Sequence, residues 1–381
     1  SFDPGGINRA LPPDGFSYHV DAVKDSIFGT GALPDVWSQG QKVHGGHGFG
    51  GDPIGDGLND GASNNNGVAP NDEYPDFSGW PKSTSTTHQQ MYYKWLERAY
   101  QGGMRLMVLL TVNNEVLCGL DKRKRGRDCD LNMQDIDIQL GQAYALQGFV
   151  DSQNGGPGQG WFRIVTSPAQ ARQVIENGKL AVVLGIETDS LFECKQAGDC
   201  SEALIRNELQ RYYDGGVRHI FPTHDFDNQF GGSAIFNSSV NIGNRIARGE
   251  YFTVRECEDE GYNFKSEFDL SIGLALFFLK GILDRPNYLQ EAHCNAKGLT
   301  STGEFFMTEL MDKGMIIDID HMSALGVDRA LTLAEARNYP LVASHIDLFD
   351  QKVPKTERDR TQSQLSRIRN LGGLAGVGVF R

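Results

Sequence analysis

The chain has 381 residues, of which 39% are hydrophobic and 22% are charged, as is typical of a globular protein large enough for one or two α/β domains. Its formal net charge of −13 at pH 7 argues against a nucleic acid or another polyanion as the partner. The longest apolar run, LSIGLALFFL at 270–279, is too short to span a bilayer, so the sequence predicts no transmembrane segment.

From residue 85 onwards, helical and strand patterns alternate along the chain. The predicted helices cover 87–103, 134–150, 168–178, 204–214, 301–313, 324–337 and 362–371. The predicted strands cover 16–23, 104–112, 180–187, 217–223, 314–321, 340–345 and 373–380. The helix at 301–313 begins with the spacing of a capping box, from Ser301 to Glu304. Apolar strands separated by amphipathic helices predict a parallel sheet with helices on both faces.

Seven predicted strands leave two architectures open, because a (β/α)8 barrel requires eight strands and an open doubly wound sheet does not. Residues 30–85 are rich in Gly, Asn, Asp and Pro and show little periodicity. We interpret them as a long irregular insertion after the first strand. The whole chain, 1–381, is therefore predicted to form a single domain.

The six cysteines fall into three local pairs, none of which has the CxxC spacing of a zinc knuckle. The pairs are Cys118 with Cys129, Cys194 with Cys200, and Cys257 with Cys294. Three disulfides that cross-link surface loops would indicate an oxidising compartment. The protein would then be secreted, periplasmic or extracellular. The alternative is six unpaired thiols.

Polar side chains that bind metals or move protons follow five of the predicted strands. They are His19 and Asp21, Glu187, His224, His321 and His345. Because the carboxyl ends of parallel strands meet at one edge of a sheet, we expect these side chains to lie close together. His19 and Asp21 are two residues apart and face the same side of their strand, whereas His219 is predicted to face away from the set.

The motifs around these residues resemble, in order and spacing, the membrane (renal) dipeptidases of the amidohydrolase superfamily. They are HVD, VVLGIE, GVRHIFPTHDFDN, GLTSTGEFFMTELMDKGMIIDIDHMS and LVASH. The resemblance is strongest over 180–225 and 298–346, while residues 24–100 look more like uncharacterised secreted bacterial relatives. It implies a TIM-like (β/α)8 barrel of the amidohydrolase type that hydrolyses dipeptides with a zinc-activated hydroxide.

The resemblance also implies a role for each strand-end residue. His19 and Asp21 would bind one zinc ion, His321 and His345 would bind the other, and Glu187 would bridge the two ions. His224 corresponds to the family histidine that polarises the scissile carbonyl. The family arginine that receives the substrate carboxylate corresponds best to Arg358, with Arg360 close behind.

One element of the family pattern has no counterpart in this sequence. The family has an aspartate at the end of the eighth strand, where it transfers the proton, but this chain reaches Arg381 just after the seventh predicted strand. We therefore expect that the last segment was removed or is supplied by a second chain, and that this chain alone is a poor catalyst. An intact but inactive sheet of seven strands is the third possibility.

Three functions fit the sequence. The first is a secreted metal-dependent hydrolase of dipeptide-like amides. The second is another amidohydrolase-type reaction, such as lactone or ester cleavage. The third is a non-catalytic binding or assembly protein that retains the barrel.

Overall fold

The structure, a computed structural model, describes residues 93–120, 128–266, 286, 288, 292–349 and 354–377, and the helices and strands of these residues are numbered here in chain order. The chain divides into two compact units, Ser1–Ile186 and Glu187–Arg381, which are described separately. The predicted first strand with His19 and Asp21, the insertion at 30–85 and the apolar run at 270–279 lie outside the described residues. The single barrel domain stays a prediction.

The first unit is built around three neighbouring strands. Its elements are α1 (Tyr93–Gln101), β1 (Leu106–Asn113), α2 (Glu115–Leu120), α3 (Asn132–Gln153), β2 (Phe162–Ile164), α4 (Pro168–Glu176) and most of β3 (Leu180–Thr188). Strand β3 lies between β1 and β2, and its pairing with β2 is parallel, with Leu180 opposite Phe162. The core of this unit contains Leu146 of α3 and Val182 of β3. Sequence periodicity did not predict β2, because three residues are too few to show a pattern.

The second unit continues the alternation of helices and strands. Its elements are α5 (Glu202–Asp214), β4 (Val217–Ile220), α6 (Ser238–Arg248), β5 (Val254–Glu256), β6 (His293–Asn295), α7 (Ser301–Asp312), β7 (Ile316–Ile317), α8 (Ala324–Arg337), β8 (Val342–Leu348), β9 (Asp359–Arg360), α9 (Gln362–Asn370) and β10 (Leu374–Val377). Strands β4 and β7 are parallel, and so are β8 and its two neighbours, β9 and β10. A parallel bridge from Asp318 to Val342 links the end of β7 to β8, whereas β5 and β6 form an antiparallel pair. The predicted α/β class with parallel strands is confirmed, while barrel closure and the fate of an eighth strand stay predictions.

The predicted capping box makes Ser301 the N-cap of helix α7, but the helix itself begins at Ser301. Thr300 is the N-cap, and its hydroxyl accepts a hydrogen bond from the Gly303 backbone N–H. The same hydroxyl lies 2.6 Å from the carbonyl oxygen of Gln229, to which it donates. This tertiary contact determines where the helix starts, so the prediction of Ser301 as the cap is wrong. A complete capping box occurs instead at α9, between Thr361 and Gln364.

Strand β7 is shorter than its apolar sequence predicts. Its pairing with β4 covers only Ile316 and Ile317, and a tight turn closed by the Met322 N–H and the Ile319 carbonyl follows. Beneath this turn, His219 of β4 faces Asp318, with 2.9 Å between Nε2 and Oδ2, and both side chains are buried. The turn places His321 beyond the strand end.

The three predicted disulfides are confirmed. Their S–S distances are 2.06 Å for Cys118–Cys129, 2.02 Å for Cys194–Cys200 and 1.97 Å for Cys257–Cys294. Among the residues that the structure describes, no helix combines the length and the hydrophobicity needed to cross a membrane.

A buried carboxylate, Glu357, joins three separate segments of the second unit. Its two oxygens accept hydrogen bonds from the backbone N–H groups of Ile235, Asn295 and Ala324, at 2.8, 2.9 and 2.9 Å. The Glu357 side chain is completely buried. Because buried backbone N–H groups need acceptors, this one side chain holds the loop after β4, strand β6 and the start of α8 together.

We expect Glu357→Gln to lower the free energy of unfolding by roughly 1–3 kcal/mol, because the new amide would turn a donor towards a backbone N–H that now has an acceptor. Urea denaturation of the oxidised protein measures the change. Glu256→Gln, at an exposed position, is the matched control and should leave the stability unchanged. Equal stabilities of the two variants would contradict this account of Glu357.

Candidate metal centre

Two strands and the segments that follow two others supply the side chains of the site. Glu187 is the penultimate residue of β3, His224 follows β4, His321 lies in the turn after β7, and His345 lies within β8. All four belong to the second unit. This arrangement is the one expected of strands that present their carboxyl ends at the same edge.

The Nε2 atoms of three imidazoles surround one carboxylate oxygen. The Oε1 atom of Glu187 lies 3.0 Å from Nε2 of His321, 3.5 Å from Nε2 of His345 and 3.6 Å from Nε2 of His224. The Nε2 atoms of His321 and His345 are 3.0 Å apart. Glu187, His224 and His321 are buried, and His345 is partly exposed.

These separations fit a metal ion. Nitrogen and oxygen ligands at about 2.0–2.2 Å in a tetrahedral zinc site lie roughly 3.3 Å from one another. Glu187, His321 and His345 present three such atoms, and imidazole with carboxylate is a ligand set that Zn²⁺ accepts. A second group of possible ligands consists of His224, Asp225 and His321. The described part of the chain thus contains the donors for a metal centre.

The structure brings together three of the five ligands that the sequence predicted. Glu187, His321 and His345 meet, and His224 lies beside them. The other two, His19 and Asp21, are outside the described residues, so their convergence on this point stays a prediction.

A carboxylate lies near the second nitrogen of each of the three imidazoles. The Nδ1 atoms of His224, His321 and His345 lie 2.7 Å from Asp189, 3.4 Å from Asp225 and 3.0 Å from Asp320, respectively. A histidine that donates its Nδ1–H to a carboxylate presents the lone pair of Nε2 to a metal. The sequence analysis missed these aspartates, although each lies within two positions of a predicted site residue, a spacing that could have drawn attention to them.

The charges of these groups are strongly coupled. Burial alone would raise the pKa of Glu187, but the hydrogen bond from His321 and the neighbouring imidazoles lower its pKa to about 2. Burial would lower the pKa of His224, but the carboxylates around it, those of Asp225 and Asp189 foremost, raise its pKa to about 10. The carboxylates of the site therefore favour the protonated form of His224, and any proton on the Nε2 atom of a ligand must leave when a metal binds.

A buried arginine fixes the loop that carries Asp189. The Arg248 guanidinium donates hydrogen bonds to the carbonyl oxygen of Asp189, at 3.1 Å, and to the Ser190 hydroxyl, at 2.9 Å. The Cys194–Cys200 disulfide closes the next segment, and the Gln229 side chain bonds to both backbone groups of Cys200. Asp189 is thus held from two directions before it meets His224.

The two candidate arginines have different surroundings. Arg358 donates a hydrogen bond of 3.2 Å to the His345 carbonyl oxygen, and its guanidinium lies 4.9 Å from the centre of the Phe236 ring. Its side chain is 18% exposed. Arg360 is fully buried and bonds to the carbonyl oxygens of Ile319 and Glu357. Arg358 is therefore the one beside the imidazoles with a partly accessible guanidinium.

We expect Glu187→Gln to weaken zinc binding by more than about 100-fold, because the amide removes the negative charge that the three imidazoles surround. Substitutions of residues that only support a metal ligand weaken binding by roughly 10–100-fold. Competition with a chromophoric chelator measures the affinity of the full chain. Glu250→Gln, at an exposed position, is the control and should bind zinc as the unchanged protein does. An unaltered affinity in Glu187→Gln would exclude Glu187 as a ligand.

Comparison with known proteins gives one family match and several similar structures. Residues 278–381 match the model of the membrane dipeptidases, peptidase family M19. An amidohydrolase from Pseudomonas aeruginosa is 14% identical, with a TM-score of 0.43 over 75% of this chain and 58% of its own. A metallo peptidase from Rhodobacter sphaeroides, liganded with a phosphinate mimic of the dipeptide L-Ala-D-Ala, is 18% identical, with a TM-score of 0.38 over 64% of this chain and 50% of its own. A probable dipeptidase from P. aeruginosa is 16% identical, with a TM-score of 0.42 over 74% of this chain and 62% of its own.

The chain spans 50–62% of the length of these three proteins. The family match covers the segment that contains His321, His345 and Arg358, and it agrees with the family that the motifs resemble. Residues 278–381 are therefore similar to the membrane dipeptidases, peptidase family M19, and this match is confined to that segment.

Proposed function

We propose that the protein is a metal-dependent hydrolase that cleaves the amide bond of dipeptide-like substrates. The observation that carries the proposal is the meeting of three imidazole Nε2 atoms at Oε1 of Glu187. The match of residues 278–381 to the model of the membrane dipeptidases supports the same reaction class. The three disulfides support an oxidising, extracellular or periplasmic location.

The proposal assigns two zinc ions to the site. His321 and His345 would hold one ion, His19 and Asp21 the other, and Glu187 would bridge them. Zinc bound here would polarise the scissile carbonyl and lower the pKa of water to near neutrality. The ligand distances among Glu187, His321 and His345 support the first ion, and the second rests on the sequence motif.

His224 is proposed to donate a hydrogen bond to the carbonyl oxygen of the substrate as negative charge develops there. Its Nδ1 is held by Asp189 at 2.7 Å, so its Nε2 points into the site. The neighbouring carboxylates keep the imidazole protonated, which makes it a charged donor. A donor fixed in advance contributes more to the transition state than a mobile one does.

Arg358 is proposed to bind the carboxylate of the substrate. A guanidinium can bind a carboxylate through two parallel hydrogen bonds. The Phe236 ring and the His345 carbonyl support the guanidinium beside the imidazoles. A substrate carboxylate bound there would lie close to the metal centre, as a dipeptide requires.

The test of the reaction class is a panel of dipeptides, lactones and esters assayed with the zinc-loaded full chain. Dipeptide hydrolysis that a chelator abolishes and zinc restores is the expected result. Preferential cleavage of lactones or esters would support the second function of the sequence analysis. Zinc binding without hydrolysis of any substrate would support the non-catalytic alternative.

We expect His224→Gln to lower kcat for a dipeptide by roughly 10²–10³-fold, the cost of removing one fixed donor to a developing oxyanion. Zinc affinity should stay within about threefold of the unchanged protein, because His224 is proposed to act on substrate and not on the metal. Steady-state kinetics at equal zinc occupancy measures the effect. An unchanged kcat would remove His224 from the mechanism.

We expect Arg358→Gln to raise KM for a dipeptide by roughly 10–100-fold, as the loss of hydrogen bonds to a charged group predicts. The KM for the same dipeptide with an amidated C-terminus should change little, because that substrate lacks the carboxylate. Arg369→Gln, at an exposed position on α9, is the matched control. Equal effects of Arg358→Gln on both substrates would contradict the assignment.

A further inference from the structure

Asp320 is a buried carboxylate that neither the strand-end pattern nor the proposed function assigns. It precedes His321 in the turn after β7, and its side chain is 0% exposed. An isolated carboxylate at such a position would be strongly destabilising, because burial removes its hydration. Its partners therefore indicate what it does.

One oxygen of Asp320 contacts two groups of His345. Oδ2 accepts a hydrogen bond of 2.7 Å from the His345 backbone N–H and lies 3.0 Å from Nδ1 of the same residue. Two contacts to one oxygen determine both the position of the His345 backbone and the rotation of its ring. A proton on Nδ1, directed at Asp320, would leave the lone pair of Nε2 for a metal ion beside Glu187, whose Oε1 atom is 3.5 Å away.

The same carboxylate lies between two arginines. Oδ2 is 3.8 Å from Nη2 of Arg358, and Oδ1 is 3.8 Å from Nη2 of Arg360. Arg358 also donates to the His345 carbonyl, so Asp320, His345 and Arg358 form a closed set of contacts. Moving the carboxylate would therefore move the imidazole and release the Arg358 guanidinium together.

We infer that Asp320 is a positioning residue that orients His345 towards the metal and Arg358 towards the substrate carboxylate. The inference rests on the proposed function for the role of Arg358, but its metal half depends only on the presence of a metal at His345. Through Asp320, metal affinity and recognition of the substrate carboxylate depend on the same side chain.

Another partner competes for the same nitrogen of His345. The Ser344 hydroxyl oxygen lies 2.8 Å from Nδ1, closer than the Asp320 oxygen. A hydroxyl can accept the Nδ1–H as the carboxylate does, but it is neutral and does not contact the His345 backbone N–H or Arg358 in the way that Asp320 does. Ser344→Ala is therefore the variant that separates the two possibilities.

The main experiment compares Asp320→Asn with Ser344→Ala in the full chain. Asp320→Asn has the same shape but no charge, and we expect it to weaken zinc binding by roughly 10–100-fold, as changes beside a metal-ligating histidine do. Its cobalt-substituted form should show a shifted visible absorption band, because the ligand field at His345 changes. Ser344→Ala should bind zinc within about threefold of the unchanged protein. Unchanged zinc affinity together with an unshifted cobalt band in Asp320→Asn would overturn the inference. A loss of zinc affinity that is larger in Ser344→Ala than in Asp320→Asn would overturn it as well.

A kinetic measurement tests the second half of the inference. At saturating zinc, Asp320→Asn should raise KM for a dipeptide with a free carboxylate by roughly tenfold, the size of one lost charge-assisted contact. The amidated dipeptide should show no such rise. Equal changes for the two substrates would overturn the link to Arg358. A protein that binds zinc but cleaves no dipeptide would refute the proposed function and leave the metal measurements on Asp320 valid.

A measurement on the unchanged protein covers the case in which Asp320→Asn does not fold. In the nitrogen-15 spectrum of the zinc-loaded protein, His345 should carry its proton on Nδ1, with the signal assigned by its loss in His345→Gln. A proton on Nε2 of His345 would overturn the inference, because Asp320 would then have no Nδ1–H to accept.

Discussion

The Glu187 carboxylate is nearly enclosed, and the arrangement of the site depends on how that buried charge is balanced. Its side chain retains 9% of its exposure, so water contributes little to its stabilisation. Three imidazoles on different elements approach one of its oxygens within 3.6 Å. Because an unbalanced charge at this depth would be costly, the turn after β7, strand β8 and the loop after β4 must each deliver a histidine to the same point.

A carboxylate lies on the Nδ1 side of each of these histidines, at 2.7 Å for His224, 3.0 Å for His345 and 3.4 Å for His321. Asp189, Asp225 and Asp320 lie on the Nδ1 side of the rings, opposite the face that meets Glu187. The hydrogen bond to Asp189 fixes the ring of His224, and the three imidazoles together keep the Glu187 carboxylate charged. Burial opposes ionisation of both Asp225 and Asp320, but the adjacent imidazoles and arginines hold the pKa of each well below its usual range. The result is a set of buried carboxylates whose charges are stabilised before any ligand binds.

The segments around the site are fixed by groups that take no part in the proposed chemistry. Arg248 holds the carbonyl of Asp189, and the neighbouring Phe192 has a positive φ of 58°, unusual for a residue with a side chain. Its ring packs against Phe230 and Phe306, which offsets the cost of that backbone conformation. Glu357 joins the loop after β4 to α8 in the same unit. Precision at the site thus comes from a buried polar framework around it.

Much of this protein could be predicted from local patterns. Helices α5 and α8 follow amphipathic spacing, and β1, β3 and β8 follow apolar runs, because the signals of burial repeat with the period of the element. The cysteine pairs are near neighbours in sequence, except Cys257 and Cys294, and the strand-end rule selected Glu187, His321 and His345. Short elements such as β2 and β9 have too few residues to show a period, so they escaped prediction.

The sequence by itself determined the α/β alternation, the two local cysteine pairs and the residue types at the strand ends, since each depends on neighbours along the chain. Only the tertiary structure decided that Thr300 caps α7, that Arg360 is enclosed while Arg358 stays accessible, and that Asp320 contacts His345. These features depend on contacts between residues far apart in the chain, such as Thr300 with Gln229 and Asp320 with His345. A sequence pattern records the spacing of residues along one element, but the partner of a buried charge is determined by which elements pack together in space.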